Sequence, residues 1–242
     1  MPGGQRRLLR VPAGVIAAVA AAVALQVGIR VGEPRPTAVA ADLPAPPPAA
    51  VLRTAALGEP IALAQLLTLY LQAFDTQPGI SIPFRDLDYD RMTSWLNAIL
   101  ALDPGSQYPL LLAAQVYSQV PDPRKQRQML EFVYQKFQLD PVRRWRWLAH
   151  CVLVARHRLH DTPLALRYAE ALAERANHRS VPGWARQMRI FLLEDIGEHE
   201  AAKILLGGLL ASGTVTDGHE ILFLTARLNA LKSVEKSTTV PK

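Results

Sequence analysis

The apolar and polar positions of this chain fall into three regimes. Residues 11–29 are 19 consecutive positions without a charge, enough to span about 28 Å as an α-helix. Residues 33–50 (EPRPTAVAADLPAPPPAA) carry six prolines and no apolar periodicity. From residue 59 onward, apolar residues recur at the 3.6-residue spacing of helices that bury one face, with no alternating β-branched runs. Prolines at 104, 121, 141, 163 and 182 punctuate this third regime at intervals of 17, 20, 22 and 19 residues, each the length of one helix and a turn. Proline fits a helix's first turn and not its interior. The pattern predicts helices over 59–75, 88–102, 106–119, 122–138, 142–159, 162–177, 183–196, 198–211 and 217–231. Between the first two lies one sizeable loop, 76–87.

The first regime reads as a membrane signal. Its length nearly matches a bilayer's hydrocarbon core, although seven alanines in residues 13–29 weaken the drive to insert. An uncleaved signal-anchor over 13–31, after a basic segment at 1–12, is the leading expectation. A leader cut at Ala38-Val39-Ala40 would place its site about ten residues past the apolar run, farther than a signal peptidase site lies. The third reading is a buried helix of a soluble protein. Arg6, Arg7 and Arg10 precede the span and Arg30 and Arg35 follow it. The positive-inside bias thus puts the bulk of the chain outside, which in a bacterium is the periplasm, with a single pass through the inner membrane. The Pro/Ala-rich stretch 32–58 is expected to serve as a linker, either a polyproline II spacer or a disordered segment. Residues 232–242 are expected to be a disordered tail.

Helices of this length invite a search for repeats. Asp103-Pro104 recurs as Asp140-Pro141. Met92, Leu96 and Ile99 are spaced by four and then three residues. So are Leu164, Tyr168 and Ala171, and Ala202, Leu206 and Leu209. Each set forms one stripe suited to packing on neighbouring helices. With Asp88-Tyr89-Asp90, Leu102-Asp103-Pro104, the run Gly197 to Ala202, and Ala114 three before Tyr117, residues 59–231 resemble the tetratricopeptide repeat (TPR) family. Cys151 and Val154 match in size alone. The chain departs from that family by the 76–87 insertion and a three-residue surplus in the second repeat, which leaves room for a TPR-like superhelix outside the strict family. The resemblance implies an all-α fold: a TPR-like α-solenoid of about four helical hairpins with 217–231 as a cap, preceded by one N-terminal transmembrane helix.

Composition narrows the chemistry. One cysteine, Cys151, excludes an intramolecular disulfide and a multi-cysteine metal site. His157 and His160 are two potential ligands where zinc needs three or four, and His150 and Cys151 point in different directions from one helix. Glu194, Asp195, Glu198 and Glu200 read as solvated acids around a turn, and Gly207-Gly208 as a point of close helix packing. No enzyme activity, metal or cofactor is expected. The net charge of +6 is unevenly spread: residues 121–190 are at +8, the flanking 51–120 and 191–242 at −3 and −2. Within the basic stretch, PVRRWRW interleaves Arg143, Arg144 and Arg146 with Trp145 and Trp147. Such clusters can stack on bases, but a periplasmic domain meets no nucleic acid. The alternatives are solvated charge over buried tryptophans, or a basic face meeting an acidic peptide, glycan or headgroup.

In the TPR frame counted from each Asp-Pro, Tyr108 and Trp145 take equivalent positions in consecutive first helices, and Trp184 joins them when the fourth repeat is counted from Gly197; in the family that position faces the concave groove. The resemblance thus implies a row of rings gripping an extended peptide, with Arg143, Arg144 and Arg146 beside it. The competing reading makes each ring a staple to the preceding hairpin. The function expected is a membrane-anchored, periplasm-facing scaffold in a cell-envelope complex. A helical-repeat accessory subunit or enzyme acting on envelope polysaccharide or peptidoglycan is the alternative.

Overall fold

The computed structural model describes residues 12–32 and 40–238, and these are mostly helical. The basic segment ahead of residue 12, residues 33–39 of the expected linker and residues 239–242 of the expected tail lie outside the described residues. Two compact units result. The first holds α1 (Ala13–Gly32) with Ala40 and Pro78–Ile80, and the second runs from Ala41 to Gln77 and onward from Ser81.

In α1, residues 13–30 are long and apolar enough to cross a membrane, and none of that window is buried. Signal sequences meet the same length test. A helix this apolar with no covered face needs lipid or protein around it.

The second unit begins with α2 (Ala49–Ala55) and α3 (Pro60–Ala73), bent 113° apart at Leu57 and Gly58. Both residues take positive φ, 49° and 91°. The remaining helices are α4 (Tyr89–Leu102), α5 (Tyr108–Leu111), α6 (Pro123–Leu139), α7 (Pro141–His157), α8 (Thr162–Arg175), α9 (Gly183–Asp195), α10 (His199–Ala211) and α11 (Gly218–Thr238). Their starts follow sequence chemistry. Asp88, Asp122, Asp140 and Asp161 accept backbone N–H bonds at the first turns of α4, α6, α7 and α8. Proline opens α3, α6 and α7.

Each of α6 to α10 packs on the helix after it, α3 packs on α4, and α7 also reaches α9. The three stripes face these contacts. Met92, Leu96, Ile99, Leu164, Tyr168, Ala171, Ala202 and Leu206 are buried, and Leu209 is half-buried. One core runs from Leu43 to Leu192; a second joins Ile190, Leu193, Ala202, Leu206, Leu224 and Leu231.

Three expectations are corrected. The linker reading fails over residues 40–58, because Leu43 and Leu52 are buried and Trp95 Nε1 donates to the Pro44 carbonyl at 2.8 Å. Gln77 adds a two-way bond with Ala41, accepting from its N–H at 2.8 Å and donating to its carbonyl at 2.9 Å. Two isolated leucines anchor this segment, too few to generate a periodicity. The tail is helical as far as Thr238, with Leu231 holding α11 to the second core. The 76–87 loop keeps its place between α3 and α4 and holds a short hairpin, β1 (Thr76–Gln77) and β2 (Ile80–Ser81), around Pro78-Gly79, where Gly79 supplies φ 80°. The loop ends on buried Leu87, whose carbonyl accepts from Lys125 Nζ at 3.0 Å. Finally, a Cβ added at Gly207 or Gly208 would meet nothing within 4 Å, so this pair serves no close packing.

The predicted helix 106–119 is helical but irregular. After α5 the turns widen over Leu112–Val116 and tighten over Tyr117–Gln119. Wide turns release carbonyls from the α-ladder. Tyr89 Oη donates to the Tyr117 carbonyl at 3.0 Å, and buried Ser118 Oγ to that of Ala114 at 2.5 Å.

Acid sensitivity follows from the caps and from His150. Backbone N–H groups, Lys125's at Asp122 and Leu164's at Asp161, hold those carboxyls below the usual range. Burial, aided by Arg158 and opposed by the Ala114 backbone, lowers the pKa of His150. The unfolded chain therefore binds the His150 proton first, near pH 6.5, so stability is complete above that value and falls as pH drops through the lowered native pKa. The two aspartates contribute above about pH 4 and lose their contribution below it. The melting temperature is expected to hold from pH 8 to 7, to fall in one step below about 6.5 and again below about 4. His150→Gln should remove the first step alone, measured by thermal denaturation across pH.

Candidate functional site

The indole of Trp145, in the second turn of α7, meets that of Trp184, in the first turn of α9, edge to face at a centroid distance of 5.4 Å. Trp184 remains 52% exposed and Trp145 is half-buried. The Arg146 guanidinium lies over the Trp145 ring at 5.9 Å, and among the described residues no carboxylate pairs with it. These three residues form one surface.

The other expected site residues divide. Tyr108 is 44% exposed, but its hydroxyl accepts from Gln72 Nε2 at 2.9 Å, and among the described residues its ring touches neither tryptophan. Arg143 is exposed and paired with Asp140, the cap of its own helix. Arg144 is corrected out of any partner surface. It is buried, donating Nη1 to the Lys136 carbonyl at 2.6 Å and Nη2 to the Pro104 carbonyl at 2.9 Å. It braces the end of α6 against the turn before α5. Burial depresses its pKa, and the charge of Arg143 adds to that effect.

The surface continues through residues that pattern reading missed. Along α9, Trp184, Gln187 and Phe191 line a hollow of about 370 Å³ with Glu220 and Phe223 of α11, where the Phe191 and Phe223 rings meet at 6.4 Å. Gly183 makes room for Glu220, since a Cβ there would run into its carboxylate, which accepts from Gln187. A second hollow, about 280 Å³, lies between Leu153 and Arg156 of α7 and Met188 and Phe191 of α9. Phe223 follows Trp184 by 39 residues, as Trp184 follows Trp145. That equal spacing was the available signal. Phe223 sits in a helix without a strong polar–apolar pattern, which hid it.

Groups capable of covalent or metal chemistry lie elsewhere. Cys151 is fully buried, and burial pushes its thiol well above the usual range, the opposite of what a nucleophile needs. Among the described residues no three His, Cys, Asp or Glu side chains converge as metal ligands. The acids expected to be solvated are partly engaged: Glu194 is half-buried under Arg227, at 2.5 Å, and Asp195 pairs with Arg156 at 2.7 Å. The arrangement is a surface for contact, built of half-exposed rings with the Arg146 guanidinium, which pairs with no carboxylate among the described residues.

Over its described residues the protein is mostly helical, with one N-terminal helix long and apolar enough to cross a membrane. No family model, no curated protein and no solved structure matches it.

Proposed function

We propose that the protein is a membrane-anchored, non-enzymatic scaffold that grips an extended peptide along the face of α7, α9 and α11. In this reading residues 59–231 form a TPR-like solenoid, α1 is a single-pass inner-membrane anchor, and the helical unit lies in the periplasm. The observation that carries it is the row Trp145, Trp184 and Phe223, each 39 residues from the next, joined by a ring contact and a hollow. Monomeric proteins rarely leave aromatic rows half exposed without use, and rigid rings bind at low entropic cost. Arg146, with no carboxylate partner among the described residues, favours a peptide with an acid beside its apolar anchors. The succession of neighbour-on-neighbour helix contacts supports the solenoid reading, because repeat folds are built from such local contacts.

The test uses the full chain in cells, with a photo-reactive amino acid at Trp184 and a control at exposed Glu174 on α8. The expected result is one discrete protein adduct from position 184 and none from 174. Equal labelling from both positions would remove the groove. A reporter fused after Ala40 should be active outside the cytoplasm and remain with membranes; cytoplasmic activity would reverse the topology.

A further inference from the structure

A second concave site adjoins the aromatic row, sharing Gly183 and Gln187 with its hollow, and lies between α9 and α10 near the end of α8. It encloses about 520 Å³, the size of pocket that takes a drug-sized ligand. Its walls are mainly apolar, formed by Ile190, Ile204, Leu205, Leu209 and Val215. Two guanidinium groups border it. Arg189 is paired with Glu170 at 3.0 Å. Arg186 donates Nη1 to Asn177 Oδ1 at 3.0 Å, while its Nε is buried with no partner, and among the described residues no carboxylate lies within 4.0 Å of it.

Gly208 lines the same pocket from mid-helix, with open space where its Cβ would stand. Glycine is the poorest helix former after proline, and here no packing partner explains it. A side chain at 208 would stand in that open space at the pocket wall.

We infer that this pocket binds an unbranched acyl chain ending in a carboxylate, the chain lying between α9 and α10 and the carboxylate meeting Arg186. Arg186 lines the pocket and among the described residues has no carboxylate within 4.0 Å, so an anion in the pocket supplies the opposite charge it lacks, and hydrogen bonds to charged groups are the stronger kind. A peptide terminus fits less well. Its amide groups would enter walls whose hydrogen-bonding side chains, besides the arginines, are Asn177, Gln187 and Thr214, with Gln187 already committed to Glu220. The inference stands independently of the peptide groove.

The experiment takes the full chain in lipid nanodiscs and adds a medium-chain fatty acid carrying a diazirine. After irradiation, adducts are mapped by mass spectrometry. Labelling is expected on α9, α10 and the following Thr214-Val215, displaced by excess laurate and not by dodecanol. Arg186→Gln should reduce this labelling about tenfold. Gly208→Leu should abolish it at an unchanged or raised melting temperature. The inference is overturned if adducts are confined to α1, as bilayer partitioning alone would give. It is equally overturned if dodecanol or an apolar C-terminal peptide competes as well as laurate, or if the folded Gly208→Leu protein labels like the wild type.

Discussion

Ala202→Asp should destabilise the helical unit by about 3–5 kcal/mol, the cost of leaving a charge unpaired inside a packed core. Ala202 has no exposed surface and shares its cluster with Ile190, Leu193, Leu206, Leu224 and Leu231. The carboxylate would enter the junction of α9, α10 and α11, where its nearest neighbours are hydrocarbon. For a unit of this size the melting temperature should drop by roughly 10 °C. Ile204→Asp, two residues along the same helix but 69% exposed, is the control. It should stay within about 1 kcal/mol of the wild type. Thermal unfolding followed by circular dichroism separates the two. Equal melting temperatures for both variants would show that α10 does not bury the face on which Ala202 lies.

That face was legible because α10 carries a clean stripe: small, large, large at spacings of four and three. The same signal placed α4 and α8, and aspartate or proline at the turns fixed their starts. What escaped the reading lacked periodicity. Segment 40–58 is held by Leu43, Leu52 and a tryptophan reaching back 51 residues to Pro44, a long-range contact that leaves no local pattern. The irregular turns of 112–119 depend on Tyr89 and Ser118 accommodating released carbonyls, and composition does not announce this. The expected site residues also fall in different places. Trp145 and Trp184, singled out in the sequence as large rings, meet at the surface, whereas Arg143, Arg144 and Arg146 look alike in sequence and differ wholly in place. Helical geometry separates adjacent residues by about 100°, so one arginine turned inward to the Pro104 and Lys136 carbonyls while its neighbours stayed at the surface.

This division makes the binding prediction sharper than a count of basic residues would. Trp184→Ala should weaken capture of the crosslinked partner by about 2 kcal/mol, close to thirtyfold, if its half-exposed ring is a hot spot. Stability should change little, because much of that ring already faces water. Trp145→Ala should weaken binding and also lower the melting temperature, since that ring is half-buried beneath Trp184 and Arg146. Arg146→Glu should act mainly on the association rate and reduce its salt dependence, as expected for an exposed charge that steers an acidic partner. Arg144→Gln belongs to another class. It should cost stability by loosening the Pro104 turn and leave the affinity of folded molecules intact. Affinity and melting temperature measured on all four variants decide the matter. Normal binding by Trp184→Ala, together with unfolding of Trp145→Ala, would make the rings packing staples between α7 and α9 and leave the peptide groove without its principal contact.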